Sequence, residues 1–434
     1  MNTSAIARFS LTNGLRVILD PHDAHGLVGI SVHYDVGFRT EPIDKNGVAH
    51  LCEHLLCDGA DTALTGAVLE AGGLLNATTQ ADYTEYYGVL PAEGAESLLR
   101  LEADRMATRR VAESALREQV RVVKDEIRAN IDGQPFGGFP WMWLGKAAYT
   151  LPSHSHNGYG AQRVETLSRA DVEQFIADHY APGSAILTVS GSFYSDHMKR
   201  LVEKIFGGIG GSDSRTETDR RIAITQSKSA HSVPAEEPPL PSDRTLVRHD
   251  AHAPHPATAV VFRAPADRGL THELLAAVVL ADILADHPLG RLDRMTAARG
   301  DISEVGSYLG LFGNPLDGRA PLPFVVEMFH GQELNAPAVL AMVRRALADI
   351  AADGVGQEEV TRTAHRIAAQ LWRTQDQLMG RTLMLGSIEL IHSDAASALS
   401  LPRTLLDVTA AEVRAVAAAL LDQNAAVLAL EVDQ

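Results

Sequence analysis

The chain has 434 residues, 45% of them hydrophobic, 21% charged and 5% aromatic, and a formal net charge of −17. That composition excludes a disordered chain, a collagen-like fibre and a small disulfide-stapled scaffold. The acidic balance argues against a nucleic-acid binder or a protein docked on an anionic membrane, since both need basic surface.

Strand-like alternation opens the first half at Leu15 to Leu19, after the turn dipeptide Asn13-Gly14, and recurs at Val28 to Tyr34. A helix pattern follows Asn46-Gly47 and carries VAHLCEHLLC; a second, Thr65 to Ala71, stops at Gly72-Gly73. LLNATTQADYTEYYGVL, rich in Thr and Tyr, reads as strand, polar turn and strand. Helices are expected at Ala95 to Met106 and at Glu113 to Asn130, where Leu116, Val120, Val123 and Ile127 make one apolar stripe. Asp171 to His179 reads as a helix and AILTVSGSF, 185–193, as a strand. From about Gly207 to Pro241 the chain turns to Gly, Ser, Thr and charge, then Pro and Glu, which is a linker signature. The second half repeats the interleaving. ATAVVFRAP, GSYLGLF, PFVVEMFHG and AAVLALEV read as strands; HELLAAVVLADIL, 337–351 and 358–376 read as helices.

The expected fold class is α+β: two related domains, each a mostly antiparallel sheet packed with helices, the repeated order being compatible with duplication. The expected limits are 1–215, a linker at 216–240, and 241–434. Only two cysteines, Cys52 and Cys57, are present, so free thiols in a reducing compartment are expected. The start lacks signal-peptide character, and Asp282 breaks the longest apolar stretch, Leu274 to Leu284. The expected location is cytoplasmic.

His50-Leu51-Cys52-Glu53-His54 is the sharpest chemical feature. Residues four apart on a helix sit one turn above each other, so both imidazoles can reach one metal ion. Glu53 projects beside the same face, within reach of a metal-bound water. In a chain with 18 His, a chance H-x-x-E-H is expected only about 0.05 times. Neutral imidazoles suit zinc, which takes three protein ligands in catalytic sites. The motif itself does not name the third ligand. Cys52 is offset to the packed face and reads as a buried inert thiol, with Cys57 also in the core. His154 and His156 lie in a Pro/Gly loop and make poor candidates for ligands.

HLCEH resembles the inverted zinc motif of the pitrilysin/insulinase metallopeptidases, a family that includes the mitochondrial processing peptidases. LTNGLRVIL, VGFRTEP, GVAHLCEHLLCDG, AGGLLNATTQADYTEYYGVLP, LRLEADRM and EQVRVVKDEIRANIDGQPFG resemble that family's successive blocks in order. The resemblance is close over residues 8–193 and looser in the second half. It implies a zinc endopeptidase with Glu126 of VVKDEI as third ligand, beside His50 and His54. It also implies Glu53 as general base and Gln119, two turns before Glu126, where relatives often carry Glu, as a neutral support for the site. Asn76, Ala77, Thr78 and Thr79 would form the edge strand that takes extended peptide. The implied arrangement of the domains is a clamshell, alone or with a partner.

The second half carries no zinc motif. In relatives that work as one complete unit, this half supplies an Arg and a Tyr to the substrate. Aligning Gly300 and Val305 with that block puts Thr296 and Ser303 in their places. Arg294, Arg299 and Tyr308 stand nearby as substitutes. The expectation is a zinc-bearing subunit whose homologous partner brings Arg and Tyr, with a second copy of this chain as the other partner candidate. The alternative function is a non-catalytic assembly or binding subunit of a peptidase-like complex.

Overall fold

The computed structural model describes residues 6–58, 62–159, 161–210, 236–265, 269–285, 289–297, 299–316 and 318–432. They form two compact units. The first takes in Met1–Asp125, Gly158–Ala235 and Arg373–Leu399; the second takes in Glu126–Asn157, Glu236–Trp372 and Ser400–Gln434. The expected linker at 216–240 lies outside the described residues as far as 235.

In the first unit one sheet gathers β1 (Ala7–Ser10), β2 (Arg16–Pro21), β3 (Leu27–Tyr34), β4 (Leu74–Thr79), β5 (Thr84–Pro91) and β6 (Ala185–Gly191). Their order is β1-β2-β6-β3-β5-β4, which leaves β4 as an edge strand. All neighbours are antiparallel except β2 with β6. Strands β3 and β6 are buried almost throughout, so the alternation read at Val28 to Tyr34 does not separate a buried face from an exposed one. Helices of this unit include α1 (Val48–Asp58), α2 (Thr62–Glu70), α3 (Ala95–Ala107), Arg169–His179 and Ser195–Phe206, with α4 (Glu113–Ile127) belonging to it as far as Asp125.

The second unit has β7 (Arg244–His249), β8 (Ala257–Arg263), β9 (Ile302–Leu309), β10 (Pro323–His330) and β11 (Ala426–Glu431) in the order β7-β11-β8-β10-β9. Here too only one pair, β7 with β11, is parallel. Matching β2, β6, β3, β5 and β4 to β7, β11, β8, β10 and β9 reproduces order and direction strand for strand. Both units are α+β and share one topology.

Each unit also takes in a helix from beyond the linker. Helix α5 (Trp141–Ala148) packs against β11, β8 and β7 in the second unit. The helix Leu378–His392 packs against β3 and β6 in the first. Gly386 on that helix lies so close to the His33 ring that a Cβ there would strike it. Arg381 forks onto Asp20 at 2.5 and 2.8 Å, and Arg8 reaches Glu389 at 2.6 Å, so ion pairs fasten the helix to the first two strands. Pairs of this geometry hold direction as well as charge.

Burial alone would raise the Asp20 carboxyl, but the Arg381 guanidinium and His22 outweigh it and hold the group at about 2. A carboxyl depressed in the folded state contributes stability above its unfolded value and loses it as pH falls through the folded one. Asp20→Asn is therefore expected to cost about 2 kcal/mol at neutral pH. It should also flatten the fall in stability between about pH 4 and pH 2, where Asp20 titrates. Denaturant unfolding of both proteins across that range measures this, and an unchanged slope would refute the role given to the pair.

Candidate metal centre

The sequence around α1 supplies a helix held from outside at both ends. At its start, Glu41 accepts from the backbone N–H groups of Gly47 at 2.9 Å and Ala49 at 2.8 Å, using one oxygen for each. These are donors that a helix N-terminus leaves unsatisfied. Near its end, Arg105 of α3 donates to the Leu56 carbonyl at 3.0 Å. Arg105 is itself paired with buried Glu102 and lies over the Tyr86 ring at 4.3 Å. Val48, Ala49, Leu51, Cys52, Leu55 and Leu56 face the core. The opposite face carries the polar residues.

On that face the Nε2 atoms of His50 and His54 approach to 3.3 Å, with ring centroids 4.9 Å apart. Glu126, in the last turn of α4, completes a group in which one ligand atom from each residue lies within 4.8 Å of the others. Among the described residues no other group of three ligating side chains converges. The division between the two compact units falls inside this last turn. Two imidazole nitrogens and one carboxylate oxygen are a donor set that zinc accepts, leaving room for a further ligand.

Gln119 stands two turns back from Glu126 on α4 and is 5% exposed. His54 Nδ1 lies 3.3 Å from its Oε1, so the ring donates there and keeps Nε2 for a metal. The buried stripe of α4 is Leu116, Gln119, Val123 and Ile127. Val120, read from sequence as a member of the stripe, is only half-buried because Gln119 takes the inward place. Glu118 is exposed.

Glu53 is buried beside the two histidines, and one carboxylate oxygen accepts from Thr79 Oγ1 at 2.6 Å. Asn76, Ala77, Thr78 and Thr79 all lie on edge strand β4. Asn76 donates to Tyr87 at 3.2 Å and Thr78 to Glu85 at 2.8 Å, while Ala77 is buried against β5. Cys52 is fully buried, and burial pushes its thiol well above its usual value, with the Glu41 charge adding to that. Such a thiol is a poor metal ligand. Cys57 is half-buried, and both cysteines are free.

Sequence reasoning passed over Tyr159, whose ring lies 5.2 Å from that of His50. The signal was the preceding glycine. Gly158 has φ +73° and its α-carbon sits against Phe38, so a side chain there would collide with that ring. His154, by contrast, is buried against Glu237 at 2.9 Å in the second unit. Within that unit Thr296 is buried and its hydroxyl turns back to the Leu292 carbonyl at 2.8 Å, while Ser303 donates to Phe329 at 3.1 Å. Arg299 pairs with Asp301 and Tyr308 with Glu327. Arg294 donates to the Leu289 carbonyl at 2.6 Å.

No helix among the described residues is long and apolar enough to cross a membrane. Gln119→Leu is expected to weaken zinc binding about 10–100-fold, since it removes the group that orients His54. Competition titration with a zinc chelator measures the loss, and unchanged affinity would remove Gln119 from the site.

Comparison with known proteins agrees with this geometry. The profile for insulinase (peptidase family M16) matches residues 16–134, and that for the peptidase M16 inactive domain matches 166–367. The zinc protease YmxG of Bacillus subtilis is 30% identical over 207 residues, 46% of this chain and 50% of that protein. A probable mitochondrial-processing peptidase subunit beta of Arabidopsis thaliana is 26% identical over 49% of this chain and 40% of its own length. The matches to these two relatives thus span about half their length or less. A solved protease from Helicobacter pylori covers 98% of this chain and 99% of its own with a TM-score of 0.84 at 20% identity, a likeness of fold. With both profiles drawn from one family and a His/His/Glu group in place, the chain belongs to the insulinase (M16) family of zinc metallopeptidases.

Proposed function

We propose that this chain is the zinc-bearing subunit of an endopeptidase that cleaves extended peptides or leader segments. The observation that carries the reading is the convergence of His50, His54 and Glu126 beside buried Glu53. His50, His54 and Glu126 would hold zinc, which when bound supplies a Lewis acid for the scissile carbonyl and acidifies the attacking water. Glu53 would take the proton from that water and return it to the leaving amine. The free edge of β4 offers backbone groups to an extended peptide, which gives affinity without dictating sequence.

The need for a partner rests on the second unit. Thr296 and Ser303 offer neither a guanidinium nor a phenol, and their hydroxyls are turned to backbone carbonyls. A homologous subunit bearing Arg and Tyr would complete the site, as a name such as processing-peptidase subunit beta suggests for one relative. A second copy of this chain is the other candidate. The free thiols support a reducing, cytoplasmic setting.

Glu53→Gln is expected to keep zinc at wild-type stoichiometry while peptide cleavage falls at least about 100-fold. Metal analysis together with a quenched peptide library reads both. Full cleavage by the variant would refute the assignment. The purified chain alone is expected to bind zinc but to cleave poorly until a partner is added; full chelator-sensitive activity of a demonstrated monomer would refute the two-chain reading.

A further inference from the structure

We propose that Thr79 is a positioning residue for Glu53 rather than a contact for substrate, so that the edge strand and the general base form one hydrogen-bonded unit. The inference rests on the peptidase reading for its consequence and on geometry for its substance. Thr79 Oγ1 lies 2.6 Å from Glu53 Oε2, the range of a hydroxyl donating to a carboxylate. Its other neighbour, Thr84 Oγ1, is 3.5 Å away. Thr84 has already committed its proton to the Val36 carbonyl at 2.8 Å, so toward Thr79 it can only accept. Thr79 has one proton, and the nearer, charged acceptor takes it.

The strand enforces this choice. Thr79 and Thr84 are cross-strand partners, and both side chains stand on the face toward α1. Thr78 and Glu85 are the next pair and point to the opposite face, where Glu85 binds Thr78 and His33. Adjacent threonines therefore serve opposite sides of β4. Thr78 is tied to Glu85 and, through it, to His33 under the helix Leu378–His392, and Thr79 is tied to the base. With Oε2 held by Thr79, the Glu53 carboxylate is tied in one orientation beside the two histidines. A peptide adding to β4 would lie along the strand that sets the base in place.

Thr79→Val keeps the β-branched shape and removes the donor. In the zinc-loaded full chain with its partner, it is expected to lower kcat roughly 10–100-fold with KM within about twofold and zinc content unchanged. Thr79→Ser should restore kcat to within about threefold, since the hydroxyl returns. A raised KM at unchanged kcat would make Thr79 a substrate contact and overturn the proposal. A second readout needs no cleavage: the thermal midpoint should fall on Thr79→Val in the wild-type background and not in a Glu53→Ala background. Equal falls in both would overturn it as well. Thr79→Ala serves in both arms if the valine protein does not accumulate. Should the zinc-loaded wild type cleave nothing even with its partner present, the peptidase reading fails while the midpoints still decide whether the bond exists.

Discussion

The site depends on one helix being unable to move. His50, Glu53 and His54 all ride on α1, and no loop holds any of them. What fixes α1 is the buried Glu41 carboxyl at its start, whose two oxygens accept from its backbone, and the buried Arg105 guanidinium near its end, which donates to the Leu56 carbonyl while paired with Glu102. The apolar face seals against the core between them. Burial pushes the Glu41 carboxyl up to about 8 against the pull of those two N–H groups, and a buried Arg105 left without its partners would cost several kcal/mol. The same anchoring sets the two imidazoles one turn apart with their Nε2 atoms at 3.3 Å.

Around this helix the fold repeats itself. Five strands of each unit share order and direction, and among the described residues only the first unit extends its sheet by a further strand, β1. In the second unit, the segment around Thr296 and Ser303 has turned its hydroxyls to local carbonyls. Exchange of one helix between halves makes each unit a product of the whole chain. The helix Leu378–His392 is fastened to the first sheet by ion pairs from Asp20 and Arg8. The sheet of the first unit is therefore covered in part by a helix from the second half of the sequence.

What could be read from sequence followed from how local each feature is. His50 and His54 were legible because an i, i+4 pair meets on any helix, whatever surrounds it. Strand β3 was legible from alternation, and α3 and α4 from helical periodicity. Glu126 was not legible from spacing alone, since a helix carboxylate beside Asp125 looks like any solvated one; the resemblance singled it out. Gln119 shows the limit of periodicity: a polar residue holds the inward place that Val120 seemed to claim. The Thr79 bond to Glu53 lay beyond reach, because it joins a strand to a helix and depends on side-chain rotamers. The helix exchange was hidden for the same reason, since nothing local says which sheet a buried helix will cover.

The centre of the site is a donor set of two imidazoles and one carboxylate, with no thiolate. Zinc-edge X-ray absorption on the stoichiometrically loaded protein reads that donor set directly. It should give a first shell of nitrogen and oxygen with the outer scattering of two imidazole rings, and one imidazole fewer in His54→Ala. A sulfur scatterer, or a spectrum unchanged by that substitution, would contradict the site described for this chain.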